Sequence, residues 1–293
     1  MIPIVEIKEA ARAFGVPPST IERDYAQNWL LAHLSALPMA LKGGTGIRKV
    51  FIENYRFSDD LDFTLLEPYE KETLRETVKD AVSRAREESG IRFEEDIDII
   101  ETTTGFRATA LFRIIPMNAS TPTKIIVDLT TMNNESVLLP VEKRRIYHPY
   151  SDRLTAGVTC YCLEEIMAEK IRSLFQRIRP RDIYDIRHLA DRVNPDAVRS
   201  ILHRKCECKE VVPDNSVLAG RRNRFSASWN ASLRHQMKAV VVPELAGCSA
   251  FGETEEEALS EVKVAIGLWI DAVWEEGPNL PQRLGAWGHL LSR

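Results

Sequence analysis

Ile4, Ile7, Ala11 and Phe14 recur at helical spacing, and Ile21, Tyr25, Trp29, Leu30 and Leu34 form a second apolar stripe. Pro17-Pro18-Ser19-Thr20 breaks the chain between them, with Ser19 or Thr20 as N-cap of the second helix and Glu22 close behind. Two helices are therefore predicted within residues 4–36. From residue 39 the period changes. Residues 39–42 form a short strand that runs into Gly43-Gly44-Thr45-Gly46, and a helix is expected over 47–52. Residues 57–64 alternate with period two. Residues 68–89 are a charged amphipathic helix that starts near Glu70 and ends at Gly90. Strands are expected at 91–101, 106–116 and 122–130, so a mixed sheet with helical cover is predicted. Beyond Pro149 helices dominate, at 163–178, 181–193 and 195–203. Residues 204–224 are polar and basic and read as a loop or linker. A helix at 225–237, a strand at 237–242, a helix at about 254–276 and a Gly- and Pro-rich tail complete the pattern.

Composition narrows the class. At about 100–200 residues per domain, a chain of 293 residues suggests two or three domains. With 44% hydrophobic and 28% charged residues it can bury a core, which excludes a mostly disordered chain. The net charge of −4 does not advertise a nucleic-acid binder, although local patches can still serve. No run approaches the roughly 20 apolar residues that cross a bilayer, and the first residues lack the basic-then-apolar order of a signal peptide. A cytoplasmic protein without membrane segments is expected. The five cysteines (Cys160, Cys162, Cys206, Cys208 and Cys248) are odd in number, which argues against a disulfide framework. The two C-x-C pairs are tighter than usual zinc spacing, and His203 is the nearby imidazole, so reduced structural thiols are expected rather than a zinc site.

The candidate chemistry starts at residues 57–64. On a strand, Phe57, Leu61 and Phe63 face a core, while Ser58, Asp60, Asp62 and Thr64 face the other way. Two carboxylates side by side repel unless a cation lies between them or water solvates both. Mg²⁺ suits such oxygen ligands and shared phosphates. Gly43-Gly44-Thr45, between a strand and a helix, is either a plain turn or a place where backbone amides approach a phosphate. It matches neither the Walker spacing nor G-x-G-x-x-G. Asp128 ends a β-branched strand. It either caps the following turn or joins Asp60 and Asp62 to hold two Mg²⁺ ions about 3.5–4 Å apart, the spacing at which a metal pair promotes attack and release of pyrophosphate. Lys170 falls on the apolar stripe of Leu163, Met167, Ile171, Leu174 and Ile178, so it requires an acid partner, a snorkelling path or a ligand anion. Arg179, Arg181 and Arg187 cluster with Asp182 and Asp185.

Four ordered segments carry a resemblance. Lys42-Gly43-Gly44-Thr45, Arg56-Phe57-Ser58-Asp59-Asp60-Leu61-Asp62-Phe63, Leu163-Glu164-Glu165-Ile166-Met167-Ala168-Glu169-Lys170 and Arg181-Asp182-Ile183-Tyr184-Asp185-Ile186 resemble the AbiEii/AbiGii nucleotidyltransferase toxins, relatives of the MenT toxins. The resemblance spans roughly residues 18–235, including Glu22-Arg23-Asp24-Tyr25 and Trp229. It implies an α+β, polymerase-β-like nucleotidyltransferase fold: a core with N-terminal helices over 1–150 and a helical domain over 151–235. By resemblance Asp60 and Asp62 bind metal, Gly43, Gly44, Thr45 and Ser58 meet the phosphates, Lys170 contacts the triphosphate and Asp182 acts at or near the site. Asp128 fits the fold's third carboxylate and would be the general base. Gly46 departs from the small or apolar residue usual there.

Residues 236–293 resemble a partial HicB-like antitoxin domain, a small α/β unit. Thr254 and Glu257 form a capping box there, and Ala258, Val262, Ala265 and Trp269 form one apolar helix face. The implied function is an Mg²⁺-dependent toxin that moves a nucleotide from an NTP to an acceptor hydroxyl, with tRNA as acceptor and a cognate antitoxin as partner. The Arg221-Arg222-Asn223-Arg224 run favours RNA. A small-molecule nucleotidyltransferase and a non-catalytic binding protein are the rival readings.

Overall fold

The computed structural model describes residues 1–115, 121–177, 179–212 and 217. The chain divides into two compact units, Met1–Tyr161 and a second that begins at Cys162. The expected elements at 225–237, 237–242 and 254–276, the basic run 221–224, Trp229, Cys248 and the HicB-like segment 236–293 lie outside the described residues.

The first unit opens with α1 (Ile4–Ala13) and α2 (Pro18–Leu34). Helix α2 starts earlier than either expected cap, because Pro18 occupies its first position, where a missing N–H costs nothing and the fixed φ suits a helix. Strand β1 (Met39–Lys42) leads directly into α3 (Gly43–Gly46), which continues as a π-helical turn over Ile47–Phe51. The helix expected at 47–52 thus begins at the glycines themselves.

Strand β2 (Asp60–Leu65) is shorter than the alternating run 57–64. Three contacts pull its first residues out of the sheet. Buried Gln27 donates through Nε2 to the carbonyls of Ser58 (3.1 Å) and Asp59 (2.9 Å), and Phe57 packs edge-on against Phe14 at 5.4 Å. Helix α4 (Lys71–Ser89) has Glu70 at its N-cap and ends at Gly90, whose φ of 72° is the left-handed conformation glycine tolerates. The single strand expected at 91–101 is two, β3 (Arg92–Phe93) and β4 (Asp98–Thr102). Then come β5 (Gly105–Arg113) and β6 (Thr123–Thr130). Strands β7 (Glu142–Arg145) and β8 (Gly157–Cys160) are absent from the sequence reading. The run Glu142-Lys143-Arg144-Arg145 has no apolar alternation because β7 is a sheet edge with little to bury.

The eight strands among the described residues form one mixed sheet in the order β3-β5-β6-β2-β1-β8-β7, with β4 also paired to β5. Strand β2 runs antiparallel to β1 and parallel to β6. One face carries Leu41, Leu61, Phe63, Val127, Leu129 and Ala108, which join Ile21, Leu30, Leu74 and Val78 of α2 and α4 in one core. At about 1.5–3 kcal/mol per large apolar side chain, this face supplies the main stabilisation, leaving the opposite face open to polar residues.

The second unit contains α5 (Leu163–Gln176), α6 (Pro180–Leu189), a 3₁₀ turn at Ala190–Arg192 and α7 (Pro195–Glu207). The helix expected at 181–193 therefore ends in a tighter turn. Helix α7 runs past residue 203, its start held by Asn194, whose side chain accepts from the N–H groups of Asp196 (2.9 Å) and Ala197 (3.4 Å). Met167, Ile171 and Leu174 of the predicted stripe are buried. Lys205 is fully buried between two acids of α5, with Nζ 2.8 Å from Glu165 and 3.2 Å from Glu169. Cys160, Cys162 and Cys206 are buried and free of disulfides, and burial pushes the Cys206 thiol up to about 11. None of the described helices is long and apolar enough to cross a membrane.

Candidate active site

Strand register builds the site. Residues directly opposite one another in a sheet share a face. Lys42 of β1 pairs with Asp62 of β2, Asp62 pairs with Asp128 of β6, and Asp128 pairs with Arg107 of β5. A single rank of four strands thus reads cation, anion, anion, cation. Asp60 lies two residues before Asp62 on the same face. The three carboxylates named from sequence are therefore on neighbouring strands, on the face opposite the one that packs against α2 and α4. Asp60 and Asp62 are half-buried, with fully buried Leu61 and Phe63 alternating with them.

Both ends of the rank are anchored. Arg107 makes a two-pronged contact with Asp128, Nε to Oδ1 at 2.7 Å and Nη2 to Oδ2 at 3.2 Å. These hydrogen bonds, the Asp128 charge, and the nearby charges of Asp60 and Asp62 raise the guanidinium's pKa further above its ordinary value. Lys42 is buried, 3.9 Å from the Glu135 carboxylate and over the Tyr161 ring. Among the described residues, no three acidic, histidine or cysteine side chains gather closely enough to form a metal cluster. Asp128 is instead turned to Arg107.

The glycine turn meets the acidic strand at this point. Gly43 has φ of 68°, and a Cβ added there would lie 2.7 Å from Asp62 Oδ2. A Cβ on Gly44 would lie 2.5 Å from the buried Arg56 guanidinium. At Gly43 the left-handed φ favours glycine and sets its backbone against the Asp62 carboxylate, whereas a side chain at Gly44 would have to displace the Arg56 guanidinium. Thr45 is fully buried, and its hydroxyl donates to the Asp60 carbonyl, so it ties the turn to β2 rather than facing outward. Ser58 is half-buried in the loop before β2, its carbonyl held by Gln27. The donor set at Asp60 and Asp62, hard carboxylate oxygens on one strand face, is the kind Mg²⁺ prefers. A cation already sits against this acid face, the Arg107 guanidinium.

Lys170 and Asp182 form a network within the second unit. Lys170 Nζ is 3.1 Å from Asp182 Oδ1 and 2.7 Å from Asp185 Oδ2, and Arg177 adds a fork to Asp182 at 2.8 and 3.2 Å. The inward lysine is thus satisfied by acids on α6, one of the alternatives left open by its position on the stripe. The Glu22-Arg23-Asp24-Tyr25 segment serves as a set of staples. Glu22 accepts from the Ile115 N–H, Arg23 pairs with Asp59, and Tyr25 donates to Asp152. Asp24 is buried among Arg48 (2.6 Å), Lys49 (2.7 Å) and the Tyr150 hydroxyl (2.8 Å). This cluster borders a cavity of about 480 Å³ whose walls include Asp24, Arg145, Tyr147 and His148 and none of the metal- or phosphate-binding candidates named from sequence.

Burial opposes the charge on Asp24 and Asp182. Lys49 and Arg48 around the first, and Lys170 and Arg177 around the second, overcome it and hold both carboxyls well below the usual range. A folded pKa below the unfolded one means the unfolded chain takes up protons first as pH falls. The stabilisation is therefore whole above about pH 4, the ordinary aspartate value, and drains as the pH drops further. Urea midpoints should stay level from neutral pH to that point and then fall. Asp182→Asn should start lower and fall less steeply, and an identical acid slope in wild type and variant would refute the assignment.

Sequence reasoning missed Arg107 and Gln27. Arg107 is one of several arginines in polar strands, and only the cross-strand register singles it out. Gln27 sits within an apolar helix stripe, an anomaly that could have drawn attention.

The model for the family described as nucleotidyl transferase AbiEii toxin, type IV TA system, matches residues 29–259. That range takes in the glycine turn, all three carboxylates, Lys170 and Asp182, and continues past residue 235. Among solved structures the chain is similar to MenT4, a nucleotidyltransferase toxin from Mycobacterium tuberculosis H37Rv, at 22% identity over 69% of each chain with a TM-score of 0.49. It is also similar to JHP933 from Helicobacter pylori, at 17% identity over 93% of this chain and 96% of that one, with a TM-score of 0.46. No curated protein matches.

Proposed function

The chain belongs to the AbiEii family of nucleotidyl transferase toxins, and on that premise we propose that it transfers a nucleoside monophosphate from an NTP to an RNA hydroxyl, with Mg²⁺ as cofactor and tRNA as the acceptor. A cognate antitoxin and a cytoplasmic site of action belong to the same proposal, as does an antitoxin-like role for residues 236–293.

The observation that carries the reading is the approach of Gly43 to Asp62, which joins a side-chain-free turn to an acidic strand. In-line phosphoryl chemistry is mostly positioning and charge stabilisation, and it needs those two features side by side. Backbone N–H groups at Gly43, Gly44 and Thr45 donate to the triphosphate, and Ser58 adds its hydroxyl. Asp60 and Asp62 hold Mg²⁺, which when bound polarises the phosphoryl oxygens. Asp128 accepts the proton of the attacking hydroxyl. The new oxygen–phosphorus bond forms at the α-phosphate as the bond to pyrophosphate breaks. Lys170 keeps the triphosphate contact implied by the resemblance, with Asp182 orienting its ammonium. Arg179, Arg181 and the run at 221–224 supply the positive charge that favours an RNA acceptor.

The test is incubation of the purified protein with Mg²⁺, total cellular RNA and each α-labelled NTP in turn, followed by a denaturing gel. Label is expected in tRNA-sized bands, with one nucleotide preferred. Label on the protein itself or on a small molecule would overturn the RNA acceptor. Absence of incorporation from any NTP would overturn the transfer reading.

A further inference from the structure

We propose that Arg107 stands in the place of a second metal ion: the protein binds one divalent cation through Asp60 and Asp62, and Arg107 keeps Asp128 out of that ion's ligand set. The inference rests on the nucleotidyl-transfer reading for its catalytic meaning, while the ion count is measurable without any reaction.

The register carries the argument. Asp62 and Asp128 are direct partners on parallel neighbouring strands, which lie about 4.7–4.9 Å apart. Two carboxylates at that spacing repel and require a positive charge. A bridging ion could supply it, using one oxygen from each. Here Arg107, the next residue along the same rank, reaches Asp128 instead and engages both oxygens. A planar guanidinium matches a carboxylate in this fork geometry and stays charged at any working pH, so it acts as a permanent cation. An ion bridging Asp62 and Asp128 would have to take an oxygen from it. Asp60 and Asp62 are placed differently. They share a strand face two residues apart, and the bare Gly43 backbone lies against Asp62. The absence of any three-ligand acidic gathering among the described residues agrees with this division: Asp128 belongs to Arg107. Lys42 closes the other end of the rank, buried beside Glu135.

For the proposed reaction, the second positive charge near Asp128 then comes from N–H donors fixed on β5. Their position is set by strand pairing and does not depend on metal concentration.

The test counts Mn²⁺ bound per full-length chain, by electron paramagnetic resonance of free Mn²⁺ and by calorimetry, without substrate and with a non-hydrolysable NTP. Wild type should bind one ion. Arg107→Met should bind two, because Asp128 is released to ligate. Asp128→Asn should still bind one, with affinity changed less than about tenfold, whereas Asp62→Asn should weaken binding by at least about a hundredfold. The Asp128→Asn result stands even if Arg107→Met does not fold. Two ions in wild type, one ion in both wild type and Arg107→Met, or loss of the ion in Asp128→Asn would each overturn the inference. Two ions together with active transfer would do so while leaving the transfer reading intact. No ion bound to wild type in either condition would sink both.

Discussion

Asp60→Asn and Asp62→Asn are each expected to lower nucleotidyl transfer by at least about a thousandfold, equivalent to roughly 4 kcal/mol of lost transition-state stabilisation. The fold should survive both changes. The two carboxylates are half-buried on the face of β2 away from the core, and the packing of the strand comes from Leu61 and Phe63 on the other face. Asparagine keeps the shape and removes both a repulsion from the neighbouring acid and an attraction to Arg107, so the thermal midpoint should change little. The readout is labelled-nucleotide incorporation beside a melting curve for each protein. Retention of more than about a tenth of wild-type activity in either variant, less than about 1.4 kcal/mol, would remove these aspartates from the chemistry. A collapse of the melting curve would instead make them structural.

Lys205→Met is expected to have the largest effect on stability. Lys205 is fully buried and so is Glu165, with Glu169 at the edge of the same cluster. The ammonium offsets the charge of both acids, and Glu169 has Arg172 as a second cation at 3.9 Å. Removing it strands negative charge in the interior, at a cost of about 3–5 kcal/mol. Helices α5 and α7 meet through this contact and through Arg172, which donates to the Lys205 carbonyl at 3.0 Å. The urea midpoint of the second unit should fall sharply. Adding Glu165→Leu to Lys205→Met should restore much of the loss, since buried ion pairs can often be exchanged for apolar contacts at little net cost. If the single variant unfolds at the wild-type midpoint, the buried triad contributes little. If the double variant is no better than the single one, the loss comes from packing and not from stranded charge.

Some of the protein was legible because its causes are local. The apolar stripes of α2 and α5, the αL glycine that ends α4, and the alternation that sends Leu61 and Phe63 one way and Asp60 and Asp62 the other all depend on neighbours within a turn or a strand. The glycine turn between β1 and the next helix was legible for the same reason. Misjudged boundaries trace to contacts with distant residues. Phe57, Ser58 and Asp59 keep strand periodicity in sequence, yet Gln27 takes the carbonyls of Ser58 and Asp59, so β2 begins at Asp60. Strands β7 and β8 carry little pattern of their own and exist because β1 offers a free edge to Cys160.

The sequence by itself determined much of the core and nominated the candidates for metal and phosphate, because side-chain chemistry and short-range period belong to the chain. It also determined that Lys170 must find a partner. Only the tertiary structure decided what those residues do to one another. The insertion of β6 between β2 and β5 set Asp62 opposite Asp128 and Asp128 opposite Arg107, and no local pattern distinguishes that arginine from Arg113 on the same strand. Folding also settled that Lys170 pairs with Asp182 and Asp185, and that Lys205 lies between Glu165 and Glu169. The physical reason is that register and burial are properties of pairs far apart in the chain. A carboxylate's partner is the group that packing brings to it, and packing is the sum of contacts that no stretch of sequence contains alone.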